Sequence, residues 1–254
     1  GRTNKHTTNQ LNLSIFKTNI LSMSLNLVIL AGGFGTRLSS ISKSTPKALM
    51  PVDDYIYLDL LLNRMIKYNI NHFYLSLQYQ SELFLNYINS SKLKNMLTPI
   101  LEPKPLGTGG ALNFVVENST ISSPFFVING DSLSDINLDQ MVAEFENQNL
   151  TAVLGILEVE DASRYGTVNV ENDKVLLYDE KGVKGAGKIN NGHYIFKKEA
   201  FDGYNGAFSL EKDLFPKLVQ NKKLAAYKVV NDNFIDMGIP EDYQKLCSMY
   251  KVSN

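Results

Sequence analysis

Little in this chain could hold a soft metal or a covalent crosslink. Only one of its 254 residues is cysteine, Cys247, so no intrachain disulfide can form, and the single thiol fits a reducing cytoplasm. Histidine is scarce too: His6, His72 and His193 lie far apart without ligand-like spacing, which argues against a zinc site. Surplus charge is missing, since 25 basic and 26 acidic residues leave a net charge of −1. No global positive field exists to hold nucleic acid or an anionic membrane, so any phosphate recognition must be local. No uninterrupted apolar run approaches the length of a membrane span. Repeats and long linkers are absent as well. Hydrophobic residues at 44% and charged residues at 20% are ordinary for a globular domain, and a chain of this length buries a large core without staples.

Residues 1–22 are rich in Asn and Thr and precede Met23. They show no clear signal-peptide layout and are expected to be an extension, non-native in origin or else an arm packing on a partner subunit. From residue 25 the pattern becomes regular. The run LNLVIL stops at Ala31-Gly32-Gly33, which reads as a buried strand ending in a glycine loop. Leu58, Leu61, Leu62, Met65 and Ile66 recur at helical spacing. Strands at 72–77, 99–101 and 125–128 alternate with helices at 82–88 and 108–116, which predicts a parallel sheet with helices on both faces. After residue 150, strands at 151–160, 167–170, 174–178 and 189–196 are separated by turns such as Glu171-Asn172-Asp173. A helix at 210–219, a strand at 224–230 and a helix at 241–250 complete the pattern. The expectation is an α/β fold, Rossmann-like, with a mostly parallel mixed sheet. It forms one domain at 23–254, with a nucleotide-binding half at 23–150 and an acceptor-binding half at 151–254. Ligands of such sheets bind beyond the carboxyl ends of the strands.

The stretch from Leu30 to Leu38 is the most informative. Gly32, Gly33 and Gly35 fall within four positions, so the backbone can approach a ligand without Cβ clashes. Consecutive N–H groups in such a loop form an anion cradle. Arg37 adds a planar fork for phosphate oxygens, and Lys47, after Pro46, a second positive charge. A glycine-rich turn by itself is usually only a turn. This one lacks the Gly-Lys-Ser/Thr ending of a Walker A loop, and Leu38 stands where a dinucleotide fingerprint has its third glycine. That absence disfavours a nicotinamide-dependent oxidoreductase.

AGGFGTRL followed by TPKALMPV resembles the signature of the sugar-1-phosphate nucleotidyltransferases. The resemblance runs through EPKPLGTGGAL (102–112), NGD (129–131), YGTV (165–168), EK (180–181), NNGHY (190–194) and FIDMGIPEDY (234–243). Each motif alone is weak, but together in this order they are highly specific. The family implies a nucleotidyltransferase, GT-A-like fold and Mg²⁺ held by Asp131 and Asp236. It implies Leu30, Ala31, Gly32, Gly33, Gly35, Thr36, Glu102, Gly107, Thr108 and Gly109 on the nucleotide. Gly166, Glu180, Lys181 and Asn190 would hold the sugar phosphate. Arg37, Lys47, Asp131, Lys181 and Asp236 would carry the catalysis. Two hard carboxylates suit Mg²⁺. Asp135 and Asp139 read as helix-starting residues. The chain departs from the family at Asn191, usually small, at His193, usually apolar and here a paired strand residue, and at Gly182, where many relatives have proline.

The implied reaction joins a nucleoside monophosphate to a sugar 1-phosphate and releases pyrophosphate. The attacking phosphate oxygen is already ionised at neutral pH, so the lack of a convincing general base is no obstacle. EPKPLGTGGAL looks closest to guanylyltransferases acting on D-glycero-D-manno-heptose 1-phosphate or mannose 1-phosphate, which implies GTP. Uridylyl or thymidylyl transfer to another hexose 1-phosphate is the nearest alternative. A catalytically silent, nucleotide-sensing subunit is the alternative of another class. No nucleic acid or membrane partner is expected, and a homodimer stays open.

Overall fold

The computed structural model describes residues 25–33, 44–146, 149–179, 182–230 and 233–251. The N-terminal extension expected at 1–22 lies outside these residues, as do Gly35, Thr36, Arg37, Glu180 and Lys181.

The run LNLVIL forms β1 (Leu25–Leu30), and Leu27, Val28 and Ile29 are all fully buried. Burial on both faces is what a continuous apolar run in a parallel sheet requires. A small hairpin follows, β2 (Pro51–Val52) with β3 (Tyr55–Ile56), and leads into α1 (Tyr57–Ile66). In α1 the buried Leu58, Leu61, Leu62 and Met65 fall on one stripe, while Asp59 in the first turn and Arg64 in the last suit the helix dipole. Then come β4 (Ile70–Leu77), α2 (Ser81–Ser90), β5 (Leu97–Leu101), α3 (Gly107–Asn118) and β6 (Phe125–Asn129). Two-residue β7 (Ser132–Leu133) and α4 (Leu138–Glu146) end this half.

The remainder is β8 (Ala152–Val159), β9 (Thr167–Glu171), β10 (Lys174–Asp179), β11 (Gly187–Phe196), a π-type turn at Leu210–Leu214 running into α5 (Phe215–Gln220), β12 (Leu224–Lys228), two-residue β13 (Ile235–Asp236) and α6 (Pro240–Tyr250). Asn172 and Asp173 both take positive φ, 48° and 60°, at the tight β9–β10 turn, as residues of a primed hairpin turn do.

Among the described residues nine strands make one sheet in the order β5-β4-β1-β6-β11-β8-β12-β10-β9. The first four are mutually parallel, as the alternation of strands and helices predicts. From β11 onward most pairings are antiparallel, β8 with β12 excepted, because these strands are joined largely by turns. Side-chain alternation divides the core into two layers. Leu27 and Ile29 face a layer with α1, α2 and α4, and Val28 faces a layer with α3 and α5. Leu30, Ser76 and Asn129 are in register, so β1, β4 and β6 end at one edge of the sheet. No helix among the described residues is long and apolar enough to cross a membrane.

Candidate active site

That edge borders a cleft of about 380 Å³. Its lining includes Leu30, Ala31, Gly32 and Gly33 after β1, Lys47, Gln78 after β4, Glu102 after β5, Gly107 and Thr108 at the start of α3, and Asp131 after β6. Sequence-distant segments meet here because parallel strands ending together must put their following loops side by side. The contacts are close. Gly130 N–H donates to the Leu30 carbonyl at 2.8 Å, and a Cβ on Gly130 would lie 2.7 Å from that oxygen, so only glycine fits between the β6 and β1 loops.

Asp131 and Asp236 are brought together by backbone pairing. β13 lies antiparallel to β7 with Asp236 opposite Ser132, and Met237 N–H donates to the Asp131 carbonyl at 2.8 Å. Asp236 is largely buried, and its carboxyl is pushed up to about 6, first by burial and next by the charge of Asp131; Lys47 and Arg164 pull the other way. Repulsion between the two acids is what a shared cation would relieve. Among the described residues no cluster of three or more His, Cys, Asp or Glu forms. Two neighbouring carboxylates would fit Mg²⁺, an ion that usually takes one or two protein carboxylates and fills its octahedron with water and phosphate oxygens.

Lys47 follows Pro46 on a 3-10 turn (Lys47–Leu49), and its Nζ lies 3.0 Å from Asp131 Oδ2. Arg164, which sequence reasoning passed over, reaches Asp236 at 3.5 Å and Asp242 at 2.9 Å. Its one sequence signal is its position directly before YGTV. Each acid thus has its own protein cation.

The other residues singled out above divide into two groups. Glu102 lies in the cleft and is half-buried; its Oε1 accepts from the Ser76 hydroxyl at 3.0 Å and its Oε2 from Leu106 N–H at 3.3 Å. Burial raises its pKa, and those two hydrogen bonds oppose the rise. Thr108 borders the cleft, but its hydroxyl donates to Glu211 at 2.7 Å and accepts from Leu210 N–H at 2.9 Å. Gly109 N–H donates to the Phe208 carbonyl at 3.0 Å, and the Phe208 ring packs over the residue. Thr108 and Gly109 therefore dock α3 onto the 208–211 segment.

Asn190 and Gly166 sit together: Asn190 N–H donates to the Gly166 carbonyl at 3.0 Å, and Asn190 Nδ2 donates to the Tyr194 hydroxyl at 2.9 Å. The departures at Asn191 and His193 form a buried pair. His193 N–H donates to Asn191 Oδ1 at 3.2 Å, and burial lowers the imidazole to about 4. Gly155 on the adjacent strand makes room, since a Cβ there would lie 2.4 Å from Asn191 Oδ1. Asp135 pairs with Arg64 and Asn233, while Asp139 occupies the first turn of α4.

Known proteins resemble this chain over most of its length. It is 35% identical over 224 residues to the D-glycero-alpha-D-manno-heptose 1-phosphate guanylyltransferase of Campylobacter jejuni, covering 86% of this chain and 97% of that one. It is 31% identical to the mannose-1-phosphate guanylyltransferase catalytic subunit beta of Xenopus tropicalis, spanning 89% of this chain but 64% of that one. Among solved structures, HddC from Yersinia pseudotuberculosis complexed with GMP-PN superposes with a TM-score of 0.78 at 33% identity, over 89% of this chain and all of that one. The nucleotidyl transferase family itself matches residues 26–251, which include the glycine loop, both acids and every strand of the sheet except the first residue of β1; the chain belongs to that family.

Proposed function

We propose that this chain transfers GMP from GTP to a sugar 1-phosphate of the heptose or mannose type, releasing pyrophosphate. The observation that carries the reading is the β7–β13 pairing, which sets Asp236 beside Asp131 at a glycine-lined cleft that also contains Lys47. Residues 23–150 hold the nucleotide and residues 151–254 the acceptor in this scheme. The similarity to heptose- and mannose-phosphate guanylyltransferases supports the choice of base and sugar class.

Asp131 and Asp236 would hold Mg²⁺, which when bound supplies charge neutralisation on the triphosphate. Lys47, 3.0 Å from Asp131 in this structure, exchanges that partner for phosphate oxygens as substrate enters. Arg37 joins it on the triphosphate, and Lys181 holds the acceptor phosphate. The acceptor oxygen is an anion, so no side chain has to remove a proton. What the protein supplies is alignment of two polyanions, and alignment is worth roughly 7–11 kcal/mol for well-oriented reactants. Glu180, Gly166 and Asn190 orient the sugar. A soluble enzyme drawing on nucleoside triphosphates belongs in the cytoplasm, where the single thiol also stays reduced.

Pyrophosphate release measured with GTP, ATP, UTP, dTTP and CTP, each paired with heptose and mannose 1-phosphates, tests the reading. GTP is expected to be preferred. A preference for a pyrimidine triphosphate, or no product with any pair in the presence of Mg²⁺, would overturn it.

A further inference from the structure

Three neighbouring parallel strands end side by side in the cleft: β1 leads to Gly32, β4 to Gln78 and β5 to Glu102. β4 and β5 stay paired to the last residue, because Glu102 N–H donates to the Leu77 carbonyl at 2.8 Å. A Cβ on Gly32 would lie 3.2 Å from Gln78 N, 3.3 Å from Gln78 Cβ and 3.2 Å from Glu102 Oε1. Gln78 and Glu102 therefore flank the same glycine.

Gln78 Oε1 is buried and has no hydrogen-bond partner among the described residues. A buried acceptor left unpaired is costly and uncommon in native proteins, so it calls for a donor that arrives with a ligand. Glu102 is only partly satisfied: each oxygen accepts one hydrogen bond, and a carboxylate can accept about four in all. Two side chains with free acceptor capacity, Gln78 and Glu102, thus flank one glycine of the cleft wall. Guanine is the base that offers two adjacent donors on one edge, N1–H and the N2 amine. Adenine places an acceptor beside its amine, and uracil and thymine place their one N–H between two carbonyls.

Resting on the guanylyl reading above, we propose that Gln78 is a base-selecting residue whose side-chain carbonyl accepts a hydrogen bond from the guanine N2 amine, while Glu102 accepts from N1–H. The more acidic N1–H goes to the charged acceptor and the amine to the neutral amide, because a charge-assisted bond gains most from the more polarised donor. A base lacking the N2 amine leaves the Gln78 carbonyl buried and unpaired, and that penalty disfavours it.

Inosine triphosphate, which is GTP without the N2 amine, isolates the contact. In the unaltered protein kcat/KM is expected to favour GTP over ITP by about tenfold, the size of one well-formed buried hydrogen bond. In Gln78→Leu and in the unbranched Gln78→Met the ratio should fall to about one, through loss of GTP activity with ITP nearly unchanged. Equilibrium binding of GDP against IDP to the same proteins reads the contact without turnover. A GTP:ITP ratio that survives in a folded variant, or that is near one in the unaltered enzyme, overturns the role of Gln78 and leaves the guanylyl reading standing. An unaltered enzyme that prefers a pyrimidine triphosphate overturns both.

Discussion

Lys47 and Asp236 each face an opposite charge across the site. Lys47 lies beside Asp131 and Arg164 beside Asp236. Lys47→Ala or Arg37→Ala should lower kcat by about 10²–10³-fold, the usual loss when one preorganised electrostatic donor is removed. Near-normal turnover in both variants, measured as pyrophosphate release, would sink their assignment. The raised pKa of Asp236, about 6, makes a separate prediction for the metal-free protein. Between pH 4 and 6 the folded state binds more protons at this carboxyl than the unfolded chain does, so its contribution to stability is lost as pH rises through that window. The loss is on the order of 2–3 kcal/mol. Asp236→Asn is neutral at every pH and should therefore unfold several degrees higher than the parent at pH 8 without metal, and near the parent at pH 4. Thermal melts at the two pH values check this, and equal melting temperatures at pH 8 would mean that the acid is not strained by its burial.

α3 and the 206–211 segment lock into each other through atoms too close for any side chain. A Cβ on Gly110 would lie 2.4 Å from the Gly206 carbonyl oxygen, and the N–H groups of Gly109 and Gly110 both donate to the Phe208 carbonyl. This close approach requires glycine at the later two of the glycines in EPKPLGTGGAL. Gly110→Ala should destabilise the protein by about 1–3 kcal/mol, a typical cost of overpacking, seen as a lower denaturation midpoint with unchanged slope. An unaltered midpoint would show that the segment yields freely. β7 and β13 are the other consequential elements, two residues each, and neither is visible to periodicity because a pattern needs more residues than that.

The nine-stranded sheet joins the two halves of the chain through β6 and β11, whereas the acid pair joins them through β7 and β13. Ligand bound across that second junction ties residue 131 to residue 236 and must stabilise the folded state by mass action. GTP with Mg²⁺ at about a hundredfold excess over Kd should add about 2.7 kcal/mol. For a domain of this size that is a rise in Tm of about 5–10 °C. Asp131→Asn should abolish the part that depends on Mg²⁺. A shift that is the same with GTP alone and with GTP plus Mg²⁺ would separate the acids from the nucleotide site.

The order of strands and helices, the buried β1, the parallel first half of the sheet and the family motifs were legible in the sequence, because period, turn residues and short contiguous motifs are local properties of a chain. Leu30, Gly32, Lys47, Glu102, Gly107 and Asp131, which line the cleft, could be named for the same reason. Three things were decided only in three dimensions. The adjacency of Asp131 and Asp236 depends on a two-residue strand pair between segments about a hundred positions apart. Thr108 and Gly109 also meet Phe208 and Glu211, which arrive from another part of the chain. Arg164 and Gln78 become notable only through what surrounds them, an acid pair in one case and an unpaired buried acceptor in the other. Local pattern encodes which elements form; burial and long-range electrostatics exist only once those elements have packed, and it is these that turn residues into a site.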